Sequence, residues 1–430
     1  MGPLMSRRFA IAALPLGFSG VALIAWFYYN TGKMKMKRIR ATASLAVACC
    51  GLAMVGSALA GDRQGPWTKE RAWDWYGRQP WIRGCNYMPA SCANRIDQWQ
   101  EYGSKERFEE MEREAELMEK TGFNAIRVIL GDQGLSVWCA EHDGMMARFE
   151  RMLGIMERHG VRVIVAFGND CSRPKEVWSM LKPGPQPYDV GYHGGRKLSQ
   201  HGSFPGAVGY TAADDPEYGP KFYAMCEEFL TKYAHDRRIL FWNLWNEPGN
   251  NGRGKVAEPL VRRLFETAWR IDPDQPLAAD LWSKDYGTDP DSANAAQRLA
   301  GELSDIISYH CYGDYETQVC LIRRLRRHYG RPLVNTEWLA RIFHCNVAEC
   351  YPLFYLEKIG CTMWGFVAGK YQTYEPWESM WKTVEKGGGQ EYDFTKWFHD
   401  LYRPSHRPYD PKEVDLIKRF NRLADEDNLR

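Results

Sequence analysis

The sequence predicts a single (β/α)8 barrel on three observations. Eight short β-rich runs recur between residues 82 and 367 of the 430-residue chain, and apolar stripes at helical spacing separate them. Strands that alternate with helices imply a parallel sheet, and eight such units favour closure into a barrel. The structural alternative is an open doubly wound sheet, which would require a glycine-rich phosphate loop after its first strand. Gly84-Cys85-Asn86-Tyr87 is not such a loop.

The elements follow one another in a regular order. The predicted strands are Ile82–Tyr87, Ala125–Leu130, Val161–Phe167, Ile239–Trp245, Leu277–Leu281, Ile306–Tyr309, Leu333–Thr336 and Thr362–Val367. Between strands one and two, Phe108, Met111, Ala115 and Met118 repeat at helical spacing, and Gly122 ends that helix. Similar stripes lie in residues 149–156, 222–233 and 260–268, and residues 409–430 predict a closing amphipathic helix. All of these stripes are assigned to the core.

One connection is unusually long. From Asp170 to Pro220 the chain runs about fifty residues that are rich in Gly, Pro, Tyr and His and show little periodicity. In a barrel this segment follows strand three, on the carboxyl-terminal face where active sites lie. The sequence therefore predicts a long loop at the mouth of the barrel.

Residues 1–60 indicate membrane targeting rather than fold. Phe9–Tyr29 is an uncharged apolar run of 21 residues, long enough to span a bilayer. A basic stretch follows it, and then a second apolar run ends in the small residues of a signal-peptidase site. Two interpretations stay open: a signal peptide over residues 34–60 that starts at Met34 or Met36, or a membrane anchor over residues 9–29. Both predict export to the periplasm or the cell exterior, with residues 61–430 as the barrel domain.

The distribution of charge along the chain argues against nucleic acid as a partner. Lys and Arg number 56 against 54 Asp and Glu. Seven of the bases and none of the acids fall in residues 1–60, so the body carries 49 bases against 54 acids. This mildly acidic body lacks the basic stripe that nucleic-acid binding needs. Its 17 Trp and 23 Tyr can fill a core or form platforms on which sugar rings stack.

Ten cysteines follow residue 60, and an oxidising compartment would permit disulfides among them. Cys139 and Cys171, just past strands two and three on neighbouring loops, are the predicted pair. His344, Cys345 and Cys350 lack the second half of a zinc site. The sequence thus predicts no metal and no cofactor.

Two carboxylates stand at predicted strand ends. Glu247 follows strand four and Glu337 follows strand seven, and each lies between Trp and Asn residues. Strands four and seven face each other across a barrel mouth, so both side chains can point into one cleft. Glycoside cleavage needs such a pair, with one carboxyl protonated and the other ionised.

At these residues the sequence resembles the clan A glycoside hydrolases. It is most similar to glycoside hydrolase family 5, in a cellulase-like or xylanase-like bacterial branch. Asn246-Glu247-Pro248 matches the family's acid/base motif on strand four, and Thr336-Glu337-Trp338 fits the nucleophile segment on strand seven. The resemblance covers roughly residues 78–425. It implies a (β/α)8 barrel and a retaining mechanism with Glu247 as acid/base and Glu337 as nucleophile.

The resemblance also implies roles for residues around the glutamates. Arg127 on strand two would support the nucleophile and lower its pKa by favouring the charged form. His310 and Tyr312 on strand six would border the nucleophile. Asn246 would bond the sugar's 2-hydroxyl, and Trp364 on strand eight would be the platform for the non-reducing sugar.

Further contacts are weaker expectations. Trp138, Trp282 and Trp338 are candidate stacking platforms, with plain packing as the alternative. Family members often carry His after strand three, where this chain has Gly168-Asn169-Asp170. Asn169 is therefore a candidate polar contact, and the substrate is left open.

The expected function is hydrolysis of a β-linked glycan of plant or microbial origin by an exported enzyme. The alternatives are a transglycosylase and a catalytically silent carbohydrate-binding or envelope protein on the same barrel. The partner is an oligo- or polysaccharide, with a membrane contact if residues 9–29 are an anchor.

The long loop bears on the length of the substrate. Tyr188, Tyr192, His193 and Phe204 could wall off one end of the cleft, which favours a pocket for chain ends or short branched glycans. The alternative is a loop that packs on the outer helices and leaves the cleft open.

Overall fold

Eight parallel strands form one sheet in the order β5-β4-β3-β2-β1-β8-β7-β6. The strands are β1 (Arg83–Asn86), β2 (Ala125–Ile129), β3 (Arg162–Asn169), β4 (Ile239–Asn246), β5 (Leu277–Ala278), β6 (Ile307–His310), β7 (Leu333–Trp338) and β8 (Gly360–Met363). The two end strands meet at a bridge between Leu281 and Tyr309, where His310 N donates to the Leu281 carbonyl at 2.7 Å. The ring is thus nearly closed, and the predicted (β/α)8 barrel is confirmed.

The computed structural model describes residues 63–188, 193–195, 206–282 and 293–428. All of them belong to one unit, Gly61–Arg430. The predicted membrane span over residues 9–29 and the predicted signal over residues 34–60 lie outside the described residues. Within the described ranges, no helix combines the length and the apolar character that a membrane crossing requires.

Helices alternate with the strands as predicted. The described helices are α1 (Lys69–Gly77), α2 (Arg95–Trp99), α3 (Ser104–Thr121), α4 (Gly131–Ala140), α5 (His142–Arg158), α6 (Tyr218–Lys232), α7 (Gly254–Ile271), α8 (Ala295–Leu303), α9 (Tyr315–Tyr329), α10 (Val347–Leu356), α11 (Glu378–Glu385) and α12 (Pro411–Asn428). The four predicted apolar stripes fall on α3, α5, α6 and α7, and the predicted tail helix is α12. Gly122 ends α3 in the left-handed conformation, with φ of 81°.

Strand β8 is shorter than the sequence predicts. The apolar run continues to Val367, but the strand ends at Met363. Gly365 turns the chain with a φ of 76°, and a Cβ at this position would overlap the Asp400 carboxylate. Because the chain turns here, Trp364 lies at the mouth of the barrel rather than within the sheet.

The barrel interior is layered. Its amino-terminal end is apolar and includes Ile164, Phe241 and Val334, and Trp67 from the segment before α1 packs against this floor. Each fully buried large apolar side chain stabilises the fold by about 1.5–3 kcal/mol. Above the floor, the side chains that point inward are mostly polar and buried. The hydrophobic floor therefore supports a polar layer just beneath the mouth.

Gly84 on β1 allows a close approach between the first two strands. A Cβ on Gly84 would overlap the backbone carbonyl of Ala125 on β2, which no rotamer can relieve. We expect Gly84→Ala to lower the free energy of unfolding by about 1–3 kcal/mol, as overpacking does. Gly77→Ala is the matched control, since nothing lies within 4 Å of its added Cβ. An equal loss for both variants in chemical denaturation would contradict this account.

Candidate active site

The carboxyl ends of the strands bring the predicted catalytic residues into one cavity. Glu247 follows β4, Glu337 lies on β7, and His310 ends β6 as the register partner of Glu337. One oxygen of each glutamate and a ring nitrogen of His310 all lie within 4.8 Å of one another. The two carboxylates therefore face the same small space, as the sequence predicts.

The contacts of the Glu247 carboxylate include His310, Asn250 and Cys171. His310 Nδ1 lies 2.8 Å from Oε1, while Asn250 Nδ2 donates to Oε2 at 2.7 Å. The Cys171 thiol also donates to Oε2, at 2.8 Å. Glu247 itself has a φ of 48°, a conformation that costs a non-glycine residue energy and is concentrated at functional sites.

The turn after Glu247 is fixed from below by Asp170. Its carboxylate accepts a hydrogen bond from Gly249 N at 2.6 Å and another from Arg253 Nε at 2.6 Å. Burial raises the pKa of Asp170 to about 6, although Arg253 opposes this rise. Asp170 therefore supports the turn after Glu247 and does not line the cavity.

Glu337 is held through both of its oxygens. Arg127 Nη1 donates to Oε1 and Tyr312 OH donates to Oε2, each at 2.8 Å. Both neighbouring strand pairings shift register around this residue, an irregularity that re-aims side chains beside active sites. Burial, the largest cause, and the charge of Glu247 raise the pKa of Glu337 above its ordinary value, although the charges of His310 and Arg127 act to lower it. Arg127 thus acts in the direction that the sequence predicts, but the carboxylate lies almost entirely out of solvent and its pKa is raised overall.

His310 lies among three carboxylates. Besides Glu247, its Nδ1 lies 3.5 Å from Glu337 Oε2, and its Nε2 lies 3.4 Å from Asp280 Oδ2. Burial alone would lower the pKa of His310, but the charges of Glu337 and Asp280 raise it to about 10. His310 is therefore an imidazolium at neutral pH.

Arg127 forms the centre of the buried polar layer. Its Nη2 donates to Asp280 Oδ2 at 2.8 Å and to Asn246 Oδ1 at 2.6 Å, and its Nη1 donates to Asn86 Oδ1 at 2.8 Å. Burial would raise the pKa of Asp280, but the charges of Arg127 and His310 hold it below its ordinary value. Sequence reasoning missed Asp280, although it is the one acid within two residues of the end of a predicted strand five.

The two asparagines near the mouth are linked to each other. Asn246 Nδ2 donates to Asn169 Oδ1 at 2.9 Å, and the two residues are register partners on β4 and β3. Both line the cavity beside the glutamates. The structure thus places these two predicted polar contacts together.

The cavity measures about 240 Å³ and has aromatic walls. Of the predicted contacts, Tyr312, Trp282 and Trp364 line it. Tyr371 and Trp377, from the segment after β8, also line it, and sequence reasoning missed both. Arg95 and Asn250 are further lining residues that it missed. Arg95 begins α2, the other three lie outside the helices and strands, and no recognisable motif marks any of the four.

Two candidate platforms do not reach the cavity. Trp138 lies on α4, where its Nε1 donates to Glu228 at 2.8 Å and its ring packs on His142. Trp338 is fully buried against Tyr351 and Phe354. Packing accounts for both residues, and the proposed platform role of Trp138 is not supported by its position.

The predicted disulfide between Cys139 and Cys171 is wrong. Both thiols are free, with Cys139 exposed on α4 and Cys171 buried beside the carboxylate of Glu247. Burial, and then the charge of Glu247, raise the pKa of the Cys171 thiol well above its ordinary value. The prediction failed because loop order along the chain does not reveal which side chain turns into the barrel.

Among the described residues, Glu247, His310 and Glu337 are the one group close enough to share a metal ion. An ion bound there would occupy both carboxylates. Their chemistry as a protonated and an ionised pair needs no metal.

The family follows from comparison with known proteins. A family model described as cellulase, glycosyl hydrolase family 5, matches residues 90–338, more than half of the chain. The chain belongs to glycosyl hydrolase family 5. The enzyme is therefore a glycoside hydrolase, and the predicted family is confirmed. No curated protein matches the chain by sequence.

Solved structures of glycoside hydrolases match the chain at low identity. The GH5_18 protein of Streptomyces cattleya in complex with Manb1-4GlcNAc is 11% identical, with a TM-score of 0.50, and the match covers 80% of each chain. The Rhizomucor miehei family 5 mannosidase is 15% identical, with a TM-score of 0.48, over 80% of this chain and 93% of that one. The Thermotoga petrophila endo-beta-1,4-mannanase is 14% identical, with a TM-score of 0.47, over 81% and 78%. At 11% identity, the Streptomyces cattleya match shows a shared fold alone.

The charge on His310 predicts a pH dependence of stability. Its pKa is raised from 6.5 to about 10 in the folded chain, so protonated His310 stabilises the fold fully below pH 6.5 and loses this effect as the pH rises through about 10. We expect the difference in melting temperature between wild type and His310→Gln to shrink over this range. The exposed His235→Gln is the control and should follow wild type at every pH. A constant difference for His310→Gln would contradict the assignment.

Proposed function

We propose that this family 5 enzyme hydrolyses β-linked glycans with retention of anomeric configuration. Glu337 is the nucleophile and Glu247 is the acid/base. The observation that carries the proposal is the pair of carboxylates, because one oxygen of each lies within 4.8 Å of the other and the two groups have different surroundings. Retaining enzymes hold the two groups about 5–5.5 Å apart, whereas inverting enzymes leave about 6.5–9.5 Å for a water molecule.

The contacts of Glu337 suit a nucleophile. Arg127 and Tyr312 donate to its two oxygens and fix the carboxylate in place. Both contacts are hydrogen bonds that leave the carboxylate of Glu337 charged, so it can attack the anomeric carbon. The bond that forms is an ester, and the bond that breaks is the glycosidic C–O bond.

The contacts of Glu247 suit a group that first gives and then takes a proton. In the first step it protonates the departing glycosidic oxygen. In the second step it removes a proton from water, whose oxygen attacks the anomeric carbon and releases Glu337. The His310 imidazolium, 2.8 Å from Oε1, can hold the carboxyl in place during both transfers.

The sugar in the catalytic position has defined neighbours. Trp364 offers a ring for its apolar face, and Asn246 Nδ2 is placed to bond its 2-hydroxyl. In the structure, Asn246 Nδ2 lies 3.8 Å from Cys171 Sγ, a weak contact that a hydroxyl would replace. We also propose export, on the basis of the apolar runs in residues 1–60.

Removal of the nucleophile should abolish turnover. We expect Glu337→Ala to lose at least about three orders of magnitude in kcat on the best aryl β-glycoside of a glucoside, mannoside and xyloside panel. Azide should restore part of the rate by entering the vacated space, and the product should be the glycosyl azide of inverted configuration.

The exposed Glu316→Ala on α9 is the matched control and should keep wild-type kcat. Near-native turnover by Glu337→Ala would reject Glu337 as the nucleophile. A rescued azide of retained configuration would assign that role to another group.

Stereochemistry tests the retaining mechanism without any variant. We expect proton NMR of the wild-type reaction to show a β-configured product before mutarotation, since two inversions at one carbon give net retention. The α-anomer as the first product would show that a water molecule attacks directly, in conflict with the short separation of the glutamates.

A further inference from the structure

Residues 193–195, from the loop after β3, lie against the segment that follows β8. The Trp364 indole Nε1 donates to His193 Nε2 at 2.9 Å, and the two rings stack with centroids 5.3 Å apart. The His193 ring also packs at 5.3 Å from Tyr371. His193 is 3% exposed, so this contact is part of the packed mouth of the barrel.

The backbone makes the same contact. Gly195 N donates to the Pro376 carbonyl at 2.7 Å. A Cβ on Gly194 would overlap the carbonyl oxygen of Glu375 and would lie 2.9 Å from its carbon. A residue without a side chain is thus needed for this approach. We call residues 193–195 the strap.

The strap connects two parts of the mouth that are separated by two strands. In the sheet order, β2 and β1 lie between β3 and β8. The strap, from the loop after β3, and the segment after β8 therefore meet on the side of the mouth where β1 and β2 end.

The direction of the substrate follows from the proposed chemistry. Glu247 protonates the leaving group, so the leaving group lies on the side of β4 and β5, where Trp282 Nε1 donates to Pro248 O at 3.0 Å. The sugar that is attacked lies over Glu337 and Trp364, on the side of β7 and β8. In a glycan this sugar carries the non-reducing end of the chain, and the strap lies beyond it.

We propose that the strap makes the active site a pocket that accepts only the non-reducing ends of β-linked glycans. The inference rests on the proposed function and adds the substrate class: chain ends and short oligosaccharides rather than the interior of a polymer. His193 and the two glycines are the specificity-determining residues. These residues exclude the interior of a polymer by steric overlap, which discriminates between substrates without contributing to the chemistry.

Matched oligosaccharides test the proposal directly. Reducing-end-labelled β-1,4-linked glucose, mannose and xylose oligosaccharides are offered with the terminal 4-hydroxyl either free or capped as a benzyl ether. We expect the free form to shorten stepwise from its non-reducing end and the capped form to react at least about 100-fold more slowly. Equal rates for the two forms would overturn the strap proposal while leaving the glycosidase intact. No cleavage of any oligosaccharide or aryl glycoside would remove the proposed function itself.

A variant of the strap separates its role from that of the catalytic centre. Gly194→Ala should displace the strap and raise the rate on the capped form, relative to the free form, about 10-fold. Gly77→Ala on α1 is the matched control and should keep the wild-type ratio. His193→Ala keeps the backbone contact at Gly195 and should raise the ratio less than Gly194→Ala does. A folded Gly194→Ala enzyme with the wild-type ratio would show that the strap is not the barrier. If that variant does not fold, the capped substrate still decides the proposal on the wild-type enzyme.

Discussion

The buried guanidinium of Arg127 is the interaction on which the rest of the site depends. It binds Glu337, Asp280, Asn246 and Asn86, and so ties together residues from β1, β4, β7 and the turn after β5. A buried cation is tolerated only when its charge and its donors are satisfied. Arg127 meets that condition with two carboxylates, which are themselves held in place by it. The positions of the catalytic groups are therefore a consequence of how the barrel interior neutralises one charge.

A count of the buried charges explains how two glutamates can differ. Arg127 and His310 supply two positive charges. Asp280, whose pKa is held below its ordinary value, supplies one permanent negative charge. Full ionisation of Glu337 and Glu247 would leave the layer with a net negative charge in a poorly solvated space. One proton on the glutamate pair makes the layer neutral. Asp280 thus sets the balance that lets one carboxyl be an acid beside an ionised neighbour.

Much of the fold and of the active site could be predicted from the sequence, because the signals for them lie in short segments of the chain. Glu247 and Glu337 were predictable because a parallel barrel sends all strand ends to one face, so that position along the chain implies position in the cavity. Asp280 lies near the end of predicted strand five as well, but sequence reasoning missed it because no motif marks it as the motifs mark the two glutamates. Cys171 was assigned to a disulfide because chain order cannot show which way a loop side chain turns. The contact between His193 and Trp364 joins residues 171 positions apart, which no local pattern encodes.

Chemistry and substrate length are therefore set by separate parts of the chain. The catalytic layer is built from strands and the short turns after them, where hydrogen bonds between neighbouring strands fix each side chain. In the described part of the chain, the strap contacts the mouth through the rings of Trp364 and Tyr371, and the segment after β8 packs Trp377 and His399 against Tyr312. A change in these loops can open or close one end of the cavity while the positions of Glu247 and Glu337 stay fixed by Arg127 and His310. Loop length in this fold can thus change the substrate that is accepted without changing the reaction that is performed.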